Sequence, residues 1–204
     1  MPEGEFVILF RYTKRDGAEF ISHLDLLRHI DRTLRRAHIA VKKSEAVNRH
    51  PRIYLSAPVG VGVVSNAEYC LIDADFAGDF QAAFNAHAPL GVRCLAWTRT
   101  DRKVNVASDI TAYEYRVEGL APFDAQDVLS MDALVLTDKR GRTKDVRPSL
   151  LGLEVREGGV WMKLCAGEAT LRPDVLGEYL AARFGGSVAF VEKTAAFGLE
   201  AYGV

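Results

Sequence analysis

The segment from His23 to His38 carries the pattern that most restricts how this chain can fold. Its apolar side chains recur at the spacing of one helix face, and the residues expected on the buried face are Leu24, Leu27, Ile30, Leu34 and Ala37. Ser22 is a favourable N-cap, and Asp25 stands three residues later, where a capping box has its acid. We therefore predict a helix over 23–38 that packs on a sheet.

The segments around this helix predict the order βαββαβ, which is that of a ferredoxin-like unit. The predicted strands are 6–12, 52–57, 67–74 and 92–98, and the second helix is 79–87. The polar stretch 98–103 that follows has the composition of a linker.

Beyond residue 110 the same pattern returns with changes. Strands are predicted at 112–117, 160–165 and 188–192, helices at 122–131 and 173–184, and an irregular connection at 149–155. A hairpin at 134–146, with its turn at 138–141, is inserted. We therefore predict the α+β class, with two tandem ferredoxin-like (βαββαβ) units at 1–99 and 110–204, the second modified by the inserted hairpin.

The N-terminal quarter of the chain is basic, although the whole chain has a formal net charge of −1. From Arg11 to Arg52 there are eleven Lys or Arg residues against five Asp or Glu. Such polarisation favours a polyanionic partner. The residues predicted to bind such a partner, of which RNA is one example, are Arg28, Arg32, Arg35, Arg36, Lys42, Lys43, Asn48, Arg49 and Arg52. The alternative is a solvated helix face on which Asp25 and Asp31 are the partners of the arginines.

A second group of basic residues surrounds the predicted hairpin and consists of Lys139, Arg140, Arg142, Lys144 and Arg147. A charged turn is usually just exposed to solvent. The alternative is that this group extends an RNA-binding track across both units.

Ser22, His23 and Asp25 allow two interpretations. In the first, Asp25 orients His23 as an acid or base, and Ser22 acts as a nucleophile or a hydrogen-bond donor. In the second, Ser22 and Asp25 cap the helix and His23 is simply its first residue. The capping interpretation explains two of the three residues by ordinary chemistry and is preferred. His23 remains the best single candidate for a functional side chain.

His50 is the second candidate, because Pro51 after it restricts its backbone to an extended conformation. The polar loop around it suits recognition of a phosphate or a base edge, and the alternative is a stiff turn in which Asn48 binds its own backbone. We predict that the loop folds back along the helix and places Asn48 and His50 near His23 and Asp25 in one basic cleft. On this hypothesis His23, Asp25 and His50 are the candidate catalytic residues.

Other classes of site find little support in the sequence. Cys70, Cys94 and Cys165 are widely separated, which is not the spacing of a zinc ribbon or an iron–sulfur cluster. We predict no metal and no cofactor. No run approaches the roughly 20 apolar residues of a membrane span, and the acidic start is not a signal peptide, so the expectation is a cytoplasmic protein without a membrane partner.

Several motifs are spread over the chain. Those of the first half are Arg11-Tyr12-Thr13-Lys14, Ser22-His23-Leu24-Asp25, Ser44 with Asn48, His50-Pro51-Arg52-Ile53, Pro58 to Gly62, and Glu68-Tyr69. Those of the second half are Lys144-Asp145-Val146-Arg147-Pro148 and Thr170-Leu171-Arg172-Pro173. Together they resemble the radical SAM-linked (radical SAM-associated) bacterial protein family over nearly the whole chain. The chain departs from that family at Ala46-Val47, where the family has Gly-Phe, and at Arg49, where it has proline.

The resemblance implies a partnership with a radical SAM enzyme and a link to RNA metabolism. Because the chain has no Cys-x-x-x-Cys-x-x-Cys motif, the radical SAM chemistry would belong to the partner. The first hypothesis is therefore a non-catalytic RNA-binding adaptor for tRNA or rRNA modification or processing.

Two other hypotheses remain open. One is a metal-independent endoribonuclease that uses His23 or His50. The βαββαβ order is also similar to that of the CRISPR repeat-processing endoribonucleases, although a fold alone carries no function. The other is a protein-interaction subunit whose basic face meets an acidic partner without binding RNA.

Overall fold

The computed structural model describes residues 6–137 and 141–204. It divides the chain into two compact units, of which the first comprises Met1–Ile110 with Gly198–Val204 and the second comprises Thr111–Phe197. Both units combine strands with helices, and most of their regular structure is sheet, so the α+β class is confirmed.

The first unit has the element order βαββαβ. Its elements are β1 (Val7–Lys14), a 3-10 turn (Ala18–Phe20), α1 (His23–Arg36), β2 (Ile53–Leu55), β3 (Val64–Ile72), α2 (Phe80–His87) and β4 (Cys94–Thr100), with a second 3-10 turn at Glu200–Tyr202. All pairings among these strands are antiparallel, in the order β4–β1–β3–β2. The register places Ile72 of β3 opposite both Ile8 of β1 and Ile53 of β2.

Both helices of the first unit pack on one face of this sheet. Phe10 of β1 is fully buried, and its ring centroid lies 5.0 Å from that of Phe80 and 5.1 Å from that of Phe84, both on α2. Helix α1 contributes Ile30 and Leu34 to the same core. Each buried apolar side chain of this size contributes about 1.5–3 kcal/mol, so this cluster is the main source of stability in the unit.

The buried face of α1 is rotated slightly from the predicted one. Ile30, Leu34 and the capping residue Ala37 are buried as predicted, but Leu24 is 63% exposed and Leu26 is buried in its place. Leu24, in the first turn of α1, is thus turned to solvent rather than to the core. The prediction of Leu24 as a core residue was therefore wrong.

Helix α1 also ends earlier than predicted, at Arg36 rather than at residue 38. His38 has a positive φ of 57°, and the Ile39 N–H donates to the carbonyl of Leu34 at 2.9 Å. These are the marks of a Schellman termination, which usually has glycine where His38 stands. The boundary was missed because a histidine gives no such signal.

Residues 198–204 belong to the first unit, although the sequence places them in the second. The Tyr69 hydroxyl donates to the carbonyl of Val204 at 3.4 Å, and the Tyr202 hydroxyl donates to the carbonyl of Lys103 at 3.3 Å. The first unit is thus built from two separate parts of the chain.

The elements of the second unit are β5 (Ala112–Leu120), α3 (Gln126–Leu129), β6 (Val135–Thr137), β7 (Thr143–Asp145), β8 (Leu150–Arg156), β9 (Gly159–Cys165), α4 (Pro173–Phe184) and β10 (Gly186–Phe197), with 3-10 turns at Arg147–Ser149 and Gly167–Ala169. Four of its strands pair antiparallel in the order β10–β5–β9–β8, and β6 and β7 form a separate pair. Helix α4 approaches the sheet closely at Gly177, where a Cβ atom would lie 2.8 Å from Val188.

Several predictions for the second unit change. Helix 173–184 is confirmed, whereas the helix predicted at 122–131 is reduced to Gln126–Leu129. The irregular connection predicted at 149–155 is wrong, because strand β8 occupies it. A register shift between Leu150 and Gly152 interrupts the two-residue periodicity by which a strand is recognised. Residues 138–140 of the predicted turn lie outside the described residues.

No helix in the described ranges is both long enough and apolar enough to cross a membrane.

Gly91 provides a test of the packing in the first unit. It has a φ of 79°, and a Cβ atom there would lie 1.7 Å from the backbone oxygen of Arg15. We expect Gly91→Ala to lower the free energy of unfolding by about 3 kcal/mol, because backbone strain and a backbone clash add together. Urea denaturation measures this loss.

Gly17→Ala is the matched control, because Gly17 has a φ of 99° but no atom within 4 Å of the position that a Cβ atom would take. It should cost only the strain of a left-handed residue, about 1 kcal/mol. Equal losses in the two variants would contradict the close approach of Gly91 to Arg15.

Candidate functional site

Helix α1 begins with a cap that engages the whole carboxylate of Asp25. The Ser22 hydroxyl accepts a hydrogen bond from the Asp25 N–H at 3.2 Å and donates one to Asp25 Oδ2 at 2.7 Å. Arg28 Nη1 donates to the other oxygen, Oδ1, at 2.9 Å. The Ser22 hydroxyl, followed by the Arg28 guanidinium, holds the pKa of Asp25 below its usual range. These contacts are those of the capping interpretation, and neither oxygen of Asp25 is directed to His23.

His23 is half-buried and lines a cavity of about 550 Å³ in the first unit. The walls come from the start of α1, from β2 with one residue of β3, and from the segment that follows β4. The lining residues are His23, Leu27, Ile53, Tyr54, Leu55, Leu71, Lys103, Val104, Asn105, Val106 and Ala107. In the described part of the chain, the His23 ring has no hydrogen-bond partner. His23 is thus the candidate catalytic residue that lines this cavity.

Asp73, directly after β3, fixes both ends of the loop that follows α1. Its Oδ1 lies 3.0 Å from Lys42 Nζ, and its Oδ2 lies 2.8 Å from Arg52 Nη1. Three backbone hydrogen bonds join the same residues, from Lys42 N–H to Asp73 O at 2.8 Å, from Asp73 N–H to Arg52 O at 3.1 Å and from Arg52 N–H to Lys42 O at 2.9 Å. The hydrogen bond from Arg52 to Asp73 raises the pKa of Arg52. Lys42 and Arg52, predicted to bind RNA, therefore anchor the loop.

The tip of this loop is closed by Ser44 and His50. The Ser44 N–H donates to the His50 carbonyl at 2.8 Å, and the His50 N–H donates to Ser44 Oγ at 3.1 Å. Asn48, Arg49 and His50 are all exposed. The backbone of His50 thus holds the loop closed while its side chain remains accessible.

The arginines of α1 differ in what they contact. Arg35 pairs with Asp31 at 2.8 Å, and Arg36 Nη2 donates to the carbonyl of His87 at 2.9 Å. Arg32 is exposed and has no ion-pair or hydrogen-bond partner in the described part of the chain. The predicted alternative, in which Asp25 and Asp31 are local partners, therefore accounts for Arg28 and Arg35 but not for Arg32.

A groove of about 420 Å³ lies beside the C-terminal half of α1. Its lining residues are Asp31, Leu34, Arg35, His38, Ile39, Ala40, Val41, Lys43 and Pro51. We call it the α1–loop groove. It brings Arg35 of the helix and Lys43 of the loop to one surface, and Lys43 is exposed without a carboxylate partner among the described residues.

The two candidate histidines belong to different parts of the first unit. His23 lines the cavity, whereas His50 closes the loop. Among the described residues, no hydrogen bond or ion pair joins His50 or Asn48 to His23 or Asp25. One shared cleft for these four residues therefore stays a prediction.

Metal ligands and reactive thiols are not evident in the described ranges. No three His, Cys, Asp or Glu side chains of residues 6–137 and 141–204 converge as a metal site. Cys70 and Cys94 are buried, and burial raises the pKa of the Cys94 thiol to about 12. Cys94 is therefore protonated at neutral pH and is a poor nucleophile.

In the second basic group, Arg147 is a residue whose side chain holds two elements together. Arg147 donates to the carbonyl of Leu129 at 2.7 Å and to that of Leu150 at 3.0 Å, so its guanidinium ties α3 to β8. Arg142 and Lys144 are exposed. Lys139 and Arg140 lie outside the described residues.

Sequence reasoning missed the cavity because one of its walls is formed by residues 103–107. This segment begins at Lys103, the last residue of the stretch interpreted as a linker. Its signal was the apolar pair Val104 and Val106, which are buried and which a solvated linker would not contain.

Comparisons with known proteins give a family but no activity. A model of one protein family, described as "Uncharacterized protein conserved in bacteria (DUF2344)", matches residues 8–173. No curated protein matches the sequence significantly.

Two solved structures align over most of the chain. An unknown protein from Galdieria sulphuraria is 14% identical, with 93% of this chain and 98% of that chain covered and a TM-score of 0.25. A proposed Dyp-type peroxidase from Shewanella oneidensis is 9% identical, with coverage of 96% and 92% and a TM-score of 0.24. Both TM-scores are too low to indicate a shared fold or a shared activity.

The cap predicts a specific change in the titration of Asp25. Because the Ser22 hydroxyl and the Arg28 guanidinium both lower the pKa of Asp25, we expect Ser22→Ala and Arg28→Gln each to raise that pKa towards its ordinary value. NMR titration of the Asp25 carboxyl carbon measures both. A pKa of Asp25 that Ser22→Ala leaves unchanged would contradict the role of the cap.

The sign of the pH dependence follows from the same contacts. The pKa of Asp25 is lower in the folded state than in the unfolded state, so its contribution to stability is full above about pH 4 and is lost as the pH falls through the folded-state pKa. The stability difference between the wild type and Asp25→Asn should therefore shrink in acid.

The contacts of Asp73 with Lys42 and Arg52 predict that its carboxylate holds the loop after α1 in place. We expect Asp73→Asn to lower the free energy of unfolding by about 1–2 kcal/mol, because it removes the charge between two partly exposed cations. Amide hydrogen exchange should become faster at Ser44 and His50, whose N–H groups close the loop. Asp75→Asn is the control, since Asp75 is exposed and, among the described residues, has its ion pair with Arg99 at the surface. Unchanged exchange in Asp73→Asn would contradict the anchoring role.

Proposed function

This chain belongs to the family of uncharacterised proteins conserved in bacteria (DUF2344), and on that premise we propose that it is an RNA-binding accessory protein of a radical SAM enzyme. The RNA would be a tRNA or an rRNA that the partner modifies or processes. The chain itself would bind and position the RNA.

One observation carries the RNA-binding part of the proposal. Arg32, Lys43 and Arg49 are exposed, and the described part of the chain gives none of them a carboxylate partner. They come from α1 and the loop after it, and Lys43 borders the α1–loop groove. Cations that are not neutralised by the protein are free to replace the counterions of a phosphate backbone. The exposed Asn48 adds an amide of the type that reads base edges.

A non-catalytic role is favoured over an endoribonuclease. General acid–base catalysis by His23 would need a group that orients its ring. The natural candidate was Asp25, but Ser22 and Arg28 engage both of its oxygens. His50 has a backbone role in closing its loop, and no described group orients its ring.

The partner part of the proposal rests on the resemblance to the radical SAM-linked family. Its two most specific motifs here are Ser22-His23-Leu24-Asp25 and His50-Pro51-Arg52-Ile53. Since this sequence lacks the three-cysteine motif that holds a radical SAM cluster, the reaction would take place on the partner.

We also propose that both units are variants of the ferredoxin-like arrangement. In the first unit the strand order is β4–β1–β3–β2, and in the second it is β10–β5–β9–β8. In the first unit, β4 lies beside β1, and β3 lies between β1 and β2. In the second unit, β10 lies beside β5, and β9 lies between β5 and β8. The β6–β7 hairpin would be the insertion in the second unit.

RNA binding is tested with charge-neutral variants. We expect the wild type to bind a labelled tRNA or rRNA fragment with an affinity that falls as salt rises. Arg32→Gln/Lys43→Gln should weaken binding about tenfold at low salt and reduce the slope of log K against log salt by about 2, one for each lost phosphate contact. Fluorescence anisotropy over a salt series measures both.

The control is Arg102→Gln/Arg183→Gln, which removes the same charge from exposed positions outside the α1–loop groove. It should bind as the wild type does. If the control loses as much RNA affinity as Arg32→Gln/Lys43→Gln, the loss reflects net charge and not the α1–loop groove. If the wild type binds no RNA at low salt, a protein-interaction subunit without RNA binding is favoured. The RNA should remain intact in EDTA, and cleavage that is lost in His23→Ala or His50→Ala would favour the endoribonuclease.

A further inference from the structure

We propose that the cavity lined by His23 binds a small molecule with an apolar body and a single anionic group, either a carboxylate or a phosphate. This site is separate from the α1–loop groove, because the two share no lining residue. The inference does not depend on RNA binding. It rests on the size of the cavity, its apolar walls and the chemistry of its polar groups.

The size of the cavity is that of a ligand site. Its volume of about 550 Å³ lies within the range of about 300–1,000 Å³ that is typical for small-molecule sites in proteins. It is therefore far larger than a packing defect, which rarely exceeds the volume of a water molecule.

Most of the wall is aliphatic. Ile53, Leu71 and Val106 are buried behind it, while Leu27 and Leu55 are only half-buried and present apolar surface to the open space. Apolar surface of this kind gains free energy when a ligand removes it from water. The body of the ligand should accordingly be a hydrocarbon chain or ring.

The polar groups of the lining are all hydrogen-bond donors. They are the His23 ring, the Tyr54 hydroxyl, the Lys103 ammonium and the side-chain amide nitrogen of Asn105. The amide oxygen of Asn105 already accepts the N–H of Ala107 at 3.0 Å, which leaves its NH₂ group for a ligand. None of the four groups has a hydrogen-bond partner in the part of the chain that the structure describes.

The charge of the lining favours an anion. Lys103 is exposed and cationic, the His23 ring can donate a hydrogen bond, and the lining residues include no Asp or Glu. Asp25, the nearest acid along α1, is already engaged by Ser22 and Arg28. A carboxylate or phosphate would therefore meet donors and positive charge without a repelling carboxylate on the wall.

The fluorescent probe anilinonaphthalene sulfonate, an aromatic anion, tests this site in the full chain. We expect saturable binding with one site per chain, and displacement by octanoate or octyl phosphate at concentrations at least about fivefold lower than octanol requires, because octanol lacks the charge. A preference between octanoate and octyl phosphate would distinguish a carboxylate ligand from a phosphate ligand. Equal displacement by octanol would overturn the anionic part of the proposal.

Two variants locate the binding. Ala107→Trp fills the cavity from an exposed position and should weaken probe binding about tenfold or more. Lys103→Glu should weaken it about fivefold, whereas Arg102→Glu, the same reversal at the neighbouring residue outside the lining, should leave it within about twofold of the wild type. Circular dichroism confirms that each variant is folded.

Other results would overturn the site. Probe affinity that Ala107→Trp leaves unchanged in a folded protein would place the probe elsewhere, and the absence of saturable binding to the wild type would remove the site altogether. Because Arg32 and Lys43 lie outside this cavity, Arg32→Gln/Lys43→Gln should still bind the probe normally. A failure of the ligand site is thereby distinguishable from a failure of RNA binding.

Discussion

The contact between Asp73 and two cations determines the shape of the surface that carries the candidate function. A nearly buried carboxylate is costly unless it is paired, and Lys42 and Arg52 pair with both of its oxygens. Since these two residues stand at opposite ends of the loop, the pairing also brings the loop ends together. The three backbone hydrogen bonds among the same residues then fix the direction in which the loop leaves the sheet. Because the loop ends are held in this way, the tip of the loop, with Asn48, Arg49 and the His50 ring, is exposed to solvent.

Local features of the first unit were predictable from the sequence, whereas contacts between distant residues were not. Ser22 was recognised as a cap because its partner Asp25 is three residues away. The partner of Lys42 and Arg52 is Asp73, which no local pattern connects to them. Leu24 was misplaced because helical spacing gives a face but not how far along the helix that face is covered. Strand β8 was missed because the shift at Gly152 broke its alternation.

Charge counted along the sequence overstates the positive surface of the first unit. Arg28 and Arg35 face carboxylates, and Lys42 and Arg52 share one. What remains is a smaller set that includes Arg32, Lys43 and Arg49. The candidate interface could thus be located from the sequence, but the residues that carry its free charge could not. His23 also could be chosen from its sequence motif, whereas the cavity that it lines could not be predicted from any motif.

The assignment of residues 198–204 to the first unit has a consequence for biosynthesis. The ribosome delivers a chain from its N-terminus, and domains generally fold as units in that order. Here the hydroxyls of Tyr69 and Tyr202 make contacts that need residues 198–204. The second unit, residues 111–197, is therefore fully synthesised before the first has all of its parts. The hydrogen bonds that join residues 198–204 to Tyr69 and Lys103 can therefore form only after the whole second unit has been synthesised.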